Sequence, residues 1–430
     1  MKTVVAETVM LGREAFETLG DVQVIPDRTL GPEHLKDADA LIIRSKTKVT
    51  PELLKDSSVR FVGTATAGFE HIDFQALEKN HIGWTASPGC NAASVADYIS
   101  AALSYLHTFK RVGLEGKTLG IIGVGQVGSR VAARAKALGL RVLLNDPPRA
   151  AREFPTLGKN EGEISEVRKN PPRPSGTPPM EGNSLKTARE KEIPSREGCP
   201  KGGVDFDVEC LCFMPLEKLL AQSDIVTMHV PLITEKPWPT LRMADCRFFE
   251  KMKRGSIFIN ASRGNVLDAD ALLHAKENGI ISRTVLDVWN PEPGIRTEIL
   301  DIADIGTAHI AGHSLEGKLN GTVQVYHEAC QFFGIEPVWD PAPLLPALVL
   351  PELNIDSRGK TDQDVLAEAA LAAYDIMADD KALRETPEKF DALRSSYGVR
   401  REFFNTRVTL SETRPELIEK LRRFGFKIYR

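Results

Sequence analysis

The stretch Thr118-Leu-Gly-Ile-Ile-Gly123-Val-Gly125-Gln-Val-Gly128-Ser-Arg-Val131 decides how the rest of the chain is read. Its apolar opening, Leu119 to Ile122, predicts a strand, and the pattern from Ser129 to Leu138 predicts a helix. Three glycines at G-x-G-x-x-G spacing join the two. In such a turn Gly123 allows the tight reversal, Gly125 lets a pyrophosphate approach the backbone, and Gly128 lets helix pack on strand. The helix N-terminus then faces the negative charge. Asp146 closes the next predicted strand, Arg141-Val-Leu-Leu-Asn, where an acid can accept hydrogen bonds from a ribose hydroxyl and repel a 2′-phosphate. The expected cofactor is therefore NAD rather than NADP. Arg149 could serve a phosphate, and Pro147 and Pro148 stand where they could turn it away.

Downstream, Asp224-Ile-Val-Thr-Met-His, Ser256-Ile-Phe-Ile-Asn, Thr284-Val-Leu-Asp-Val and Asp304-Ile-Gly-Thr-Ala continue the series, giving six strands with intervening helices and a doubly wound α/β sheet. Upstream, Val4-Val5, Val22 to Ile25, Leu41 to Ile43 and Phe61-Val62 alternate with polar helical patterns, which predicts a smaller α/β unit. A long helix from Ala92 to Leu106, with Val95, Ile99, Ala102, Leu103 and Leu106 on one face and Asn91 as N-cap, leaves that unit. Leu315 to Phe333 predicts a second long helix that carries the chain back. Two crossings between the same units make a hinge. The expected division is residues 1–94 plus 309–335 as a substrate-binding lid, 95–308 as the NAD-binding unit, and 338–430 as a small C-terminal α+β unit. The last contains a helix over Asp362 to Met377 and strand-like runs such as Arg407-Val-Thr-Leu410.

A chain of 430 residues suits two or three cores rather than one. Its 55 basic and 59 acidic residues, a net charge of -4, are spread without a basic stripe, so nucleic acid is not an expected partner. The N-terminal apolar run is too short for a signal sequence, and no run is long enough to span a bilayer; a cytoplasmic protein with no membrane partner is expected. Six cysteines form no dense framework, and reduced thiols follow. Cys199, Cys210 and Cys212 cluster without a well-spaced fourth ligand, so no metal is expected. From about Ala151 to Val208 the chain is rich in Pro, Gly, Ser, Lys and Glu, the composition of a disordered surface insertion.

Three residues at ends of predicted strands could carry chemistry. Arg263, in Ala-Ser-Arg-Gly, places a guanidinium fork at the carboxyl edge of the sheet, suited to a substrate carboxylate. His309, in Ala-His-Ile-Ala-Gly312, is suited to taking a hydroxyl proton as hydride leaves an alcohol. Glu292, in Asp287-Val-Trp-Asn-Pro-Glu-Pro, could orient that imidazole. Each has a bland alternative: a surface ion pair, a satisfied core histidine, a solvated loop acid.

Together, in this order behind the glycine turn, the motifs resemble those of the D-isomer-specific 2-hydroxyacid dehydrogenases. The resemblance implies a Rossmann sheet with a flavodoxin-like split substrate domain, and Arg263, Glu292 and His309 as carboxylate anchor, base partner and acid/base. Further stretches, among them Leu-Ile-Ile-Arg44-Ser45, Thr-Ala-Thr66-Ala-Gly68, Ser-Pro-Gly-Cys90-Asn91 and His309-Ile-Ala-Gly-His313, resemble a branch of that family with a phosphorylated substrate and a C-terminal dimerisation domain. That branch implies a homodimer, with Ser45, Thr66, His313 and Arg44 at the substrate. It also implies Gln126, Val127, Asp146, Val230, Asp287 and Gly312 at NAD, beside Gly123, Gly125 and Gly128. The phosphate is expected to meet Arg44, or Arg394 or Arg400 supplied by a second subunit. His313 stands where a tyrosine is usual and Val230 where a threonine is common. Cys90 reads as a small buried thiol. Two alternatives stay open: another D-2-hydroxy acid of the 3-phosphoglycerate or glyoxylate type, and a non-catalytic NAD-sensing interaction protein.

Overall fold

The computed structural model describes residues 1–153 and 213–428. Most of the expected insertion lies outside the described residues, as do Cys199, Cys210 and Cys212.

Five strands build the first sheet: β1 (Lys2–Ala6), β2 (Asp21–Ile25), β3 (Ala40–Ile43), β4 (Phe61–Thr64) and β5 (Gly83–Thr85), all parallel in the order β2-β1-β3-β4-β5. This is the flavodoxin-like order. The second sheet contains β6 (Thr118–Ile122), β7 (Arg141–Asn145), β8 (Ile225–Met228), β9 (Ser256–Asn260), β10 (Ile281–Leu286) and β11 (Ile305–Gly306), in the order β11-β10-β9-β8-β6-β7. Every position of β6, β8 and β9 is buried, which is why these runs are mostly apolar and do not alternate with exposed polar residues. Beyond the β7 edge Phe213 bridges Leu144 in parallel, at the position a third strand takes in a six-stranded doubly wound sheet. A third, parallel sheet contains β12 (Glu352–Ile355), β13 (Arg407–Leu410) and β14 (Lys427–Ile428).

Two helices of 19 residues, Ala92–Lys110 and Leu315–Phe333, make the expected crossings. Val95 to Leu106 of the first enter the core of the second sheet. Val325, Tyr326, Ala329 and Cys330 of the other enter the core of the first. Each connection is thus rooted in one sheet by its own apolar face, and the two meet at their starts, where Ser94 Oγ and Ser314 Oγ are 2.5 Å apart. Ser314 caps its helix by accepting from the Gly317 amide at 2.8 Å. Asn91 occupies the other N-cap position without a side-chain capping bond.

Two expected boundaries move. The helix after the glycine turn runs Gln126–Ala137, starting three residues before Ser129, so Gln126 and Val127 belong to its first turn. The helix expected over Asp362 to Met377 is two, Asp362–Ala373 and Ile376–Glu385. Tyr374 between them is extended, and the Asp375 carboxylate caps the second by accepting from Met377 and Ala378 amides. An aspartate inside an apolar period is the signal for that restart.

The C-terminal residues do not keep a core to themselves. Ile355, Val365, Leu366, Tyr374, Phe403, Leu417, Leu421 and Phe424 are buried in one cluster with Tyr98, Ile121 and Val131.

Candidate active site

The glycine turn has the geometry its sequence requires. Gly123 has φ +87°, and a side chain there would strike the His229 carbonyl oxygen. A side chain on Gly128 would strike the Gly123 carbonyl, whereas Gly125 faces open space at the helix N-terminus. An anionic group can therefore reach the backbone there, which fits a dinucleotide pyrophosphate. Asp146 follows β7 and locks the turn, its Oδ2 accepting from the Val124 amide at 2.8 Å. Val230, behind β8, packs against Gly123.

Arg149 is not turned away. Pro147 and Pro148 start the short helix Pro147–Glu153, the Arg149 amide donates to Asp146 Oδ1, and the guanidinium folds back to donate to Val124 O at 2.6 Å and Ser129 Oγ at 3.1 Å.

At the carboxyl edge of the same sheet His309 Nδ1 and Glu292 Oε2 are 2.8 Å apart. The other Glu292 oxygen accepts from the Trp289 amide at 2.8 Å. Burial works to raise the Glu292 carboxyl, but the His309 hydrogen bond and charge, with the Trp289 amide, hold it below the ordinary glutamate value. An ionised Glu292 can only accept, so Nδ1 donates in this bond and Nε2 is the ring nitrogen left over for a substrate.

His309 sits at φ +55°, a conformation that costs a non-glycine residue energy. Asp287 supplies the restraint: its Oδ1 accepts from Thr307 Oγ1 and the Ile310 amide, both at 2.7 Å, and its Oδ2 from the Ala311 amide at 2.9 Å. Asp287, expected at the cofactor, is 1% exposed and spends its oxygens on the segment around the histidine.

Arg263 reaches across to the first sheet. Its Nε donates to Glu70 Oε1 at 2.9 Å and one terminal nitrogen donates to Ser262 O at 2.9 Å, while the other lies against Gly68. Burial opposes ionisation of Glu70, yet Arg263 holds its carboxyl below the ordinary value. Glu70 is a site residue the sequence reading does not single out. Its signal is an acid two residues beyond Gly68, in the turn that faces Arg263.

The remaining expected residues divide. Thr66 Oγ1 donates to Gly68 O at 2.8 Å and contacts Thr64 Oγ1 at 2.7 Å, which in turn meets His71 Nε2, so it shapes the turn beside Arg263. Ser45 is exposed in the loop after β3. Gly312 lies against the Asn91 side chain. Burial, then the charges of Arg44 and Arg394, push the His313 ring well below the ordinary histidine value. Arg400 does a different job: it is buried, donates to Ala311 O and lies over the Tyr374 ring at 4.5 Å. Burial pushes the Cys90 thiol up to about 11, as an inert thiol requires.

Known proteins share the fold and much of the sequence of this chain. Residues 98–170 and 200–311 match the family described as D-isomer specific 2-hydroxyacid dehydrogenase, NAD binding domain, and residues 344–425 match a domain of unknown function. Among solved structures, the TT0316 protein from Thermus thermophilus superposes with a TM-score of 0.57 at 22% identity, covering 78% of this chain and 98% of that one. D-lactate dehydrogenase from Aquifex aeolicus, complexed with NAD and lactic acid, gives 0.56 at 23% identity, covering 77% and 95%. These likenesses establish the fold. The chain belongs to the D-isomer-specific 2-hydroxyacid dehydrogenase family and, within it, to the group of the erythronate-4-phosphate dehydrogenases. It is 39% identical to erythronate-4-phosphate dehydrogenase of Cronobacter sakazakii over 98% of this chain and 97% of that one. The corresponding protein of Serratia proteamaculans is also 39% identical, over 98% and 99%.

Proposed function

We propose that this protein oxidises 4-phospho-D-erythronate at C2 to (R)-3-hydroxy-2-oxo-4-phosphooxybutanoate, a step toward pyridoxal 5′-phosphate. The observation that carries the reading is the His309–Glu292 pair, in a chain with full-length likeness to erythronate-4-phosphate dehydrogenases. Gly123 to Gly128 would hold NAD, with Asp146 toward its ribose, and the cofactor would supply the hydride acceptor.

Arg263 holds the substrate carboxylate together with the backbone near Thr66 to Gly68, fixing C2 in front of His309. His309 Nε2 takes the C2 hydroxyl proton as hydride leaves the same carbon. Glu292 stabilises the doubly protonated imidazole that results. Asp287 keeps the histidine segment in its strained conformation throughout. Ser45, Arg44 and His313 line the far end of the substrate, and Val230 and Gly312 flank the cofactor.

We place the protein in the cytoplasm, in keeping with the free thiols Cys90, Cys246 and Cys330. It acts as a homodimer through residues 338–430, where Val338, Val349 and Val399 expose 70%, 87% and 60% of their surface. Light scattering of the purified protein tests the dimer.

The reaction is tested by NADH formation from 4-phospho-D-erythronate, with His309→Ala as control. Formation in the parent and its loss in the variant support the reading. Turnover of 3-phosphoglycerate or glyoxylate-type acids instead, or cofactor binding with no turnover of any 2-hydroxy acid, overturns it.

A further inference from the structure

The segment that carries His309 is also held by residues that come much later in the chain. Strand β11 lies at one end of the second sheet. On its β10 side the Thr307 amide donates to Leu286 O at 2.9 Å. On its outer side the Gly306 amide donates to Asp380 Oδ1 at 2.7 Å, and Asp380 is buried. The other Asp380 oxygen accepts from Arg384 Nε at 2.8 Å, and the Arg384 guanidinium donates further to Leu300 O at 2.9 Å and Ala303 O at 2.7 Å. Both residues belong to the helix Ile376–Glu385, which thus covers the sheet edge that another strand would otherwise pair.

A second hold lies on the far side of the histidine. Arg400 donates to Ala311 O, and its own carbonyl accepts from the Leu315 amide at 2.8 Å, where the second long helix begins. The guanidinium is fixed from behind, 4.5 Å from the Tyr374 ring centre and 5.9 Å from that of Tyr397. Both tyrosine hydroxyls donate to Asp379 Oδ2 at 2.7 Å. Asp379 and Asp380 are neighbours on one helix, so a single element backs both holds.

A residue in a strained conformation keeps it only where its surroundings over-determine it. Asp287 ties the segment around His309 from the sheet itself, whereas Asp380 and Arg400 tie its two ends, at Gly306 and Ala311. Each is a buried charge on a single backbone group. Burying a charge is costly, but a charged partner forms a shorter and stronger hydrogen bond than a neutral one. Such bonds matter most where position matters most, and a reacting group displaced by about 1 Å can lose roughly a hundred-fold in rate.

We propose that Asp380 and Arg400 are positioning residues, which grip the two ends of the His309 segment and keep the imidazole in line with the substrate hydroxyl. The part of the chain matched only by a domain of unknown function thereby takes a share in the reaction without touching the substrate. This deepens the proposed reaction and rests on His309 being its base.

The test compares Asp380→Ala, Asp380→Asn, Arg400→Met and Arg400→Lys with the parent and with Val408→Ala, which thins the same core from the third sheet. Turnover of 4-phospho-D-erythronate, melting temperature and amide hydrogen exchange of peptides covering 305–312 are measured on each. Asp380→Ala and Arg400→Met should lose about ten-fold or more in kcat with KM within about three-fold of the parent, and their 305–312 amides should exchange faster. Asp380→Asn, which keeps an acceptor for Gly306, and Arg400→Lys, which keeps a donor for Ala311, should each recover part of kcat. Val408→Ala should lower the melting temperature and leave kcat within about two-fold. Unchanged kcat in Asp380→Ala, or a loss in Val408→Ala as large as in the two positioning variants, overturns the inference. If Arg400→Met does not fold, the two Asp380 variants decide. If the parent turns over no 2-hydroxy acid, the proposed reaction fails, while exchange over 305–312 still judges the grip and overturns it if unchanged.

Discussion

Arg263 and Glu70, 193 positions apart and rooted in different sheets, are joined at 2.9 Å across the cleft between those sheets. The pair occupies one edge of the guanidinium and leaves a terminal nitrogen beside Gly68, toward the backbone of the Thr66 turn. Glu70 therefore aims the fork at the place where a substrate carboxylate would be received. Glu70→Gln should raise KM about ten-fold and leave kcat within about three-fold, because a half-exposed pair contributes modestly and acts on orientation. Steady-state kinetics check this; a lower KM would mean that Glu70 competes with the substrate instead.

His309→Ala should lower kcat/KM by roughly two to four orders of magnitude, the scale of a general base. Glu292→Gln should cost roughly ten- to hundred-fold. An amide can donate as well as accept, so it no longer obliges Nδ1 to carry the proton. Both variants should keep NAD affinity, measured by cofactor fluorescence, since neither residue touches the glycine turn.

Asp287→Asn replaces an acceptor of three hydrogen bonds by a group able to accept fewer, beside a histidine at φ +55°. Stability should fall by about 2–3 kcal/mol, and kcat should fall about ten-fold as the imidazole loses its fixed position. Thermal unfolding and steady-state turnover report the two effects separately.

Glu402 makes stability pH-dependent. Burial and the charge of Asp97, with Glu316 adding to them, raise its carboxyl to about 7, while hydrogen bonds from Ser94 and Ser314 act the other way. The folded state thus holds this proton more tightly than the unfolded chain, which releases it near 4.5. No penalty exists below about pH 4.5; it grows between about 4.5 and 7 and is complete above about 7. Glu402→Gln should therefore be more stable than the parent at about pH 8, by on the order of 2 kcal/mol, and nearly equal to it at about pH 5. Melting temperatures across that range, equal at about pH 8, would refute the assignment.

Much of this molecule was legible in its sequence because its signals are local. The glycine spacing, the apolar strand runs and the one-sided helices Ala92–Lys110 and Leu315–Phe333 each declare themselves within a window of about twenty residues, and Arg263, Glu292 and His309 each follow a strand. What escaped depends on distant pairings. Nothing near Glu70 announces Arg263, and nothing near Asp287 announces its amide donors Ile310 and Ala311, which lie 23 and 24 positions along the chain. The break at Tyr374 was missed because apolar residues on both sides keep the helical period, and only the capping role of Asp375 interrupts it.

The shared burial of Phe403 and Phe424 with Tyr98 and Val131 bears on how such a chain can be cut or recombined. The C-terminal segment looks like a cassette in sequence, but the structure gives it no interior of its own. Shortening the protein before Ile355 would strip apolar cover from the nucleotide-binding sheet and leave Ser94 and Ser314 without the carboxylate they share. Heredity could add this segment to an older dehydrogenase only by rewriting the surface that received it, so transplanting the tail alone onto a relative that lacks it should yield an insoluble chimera.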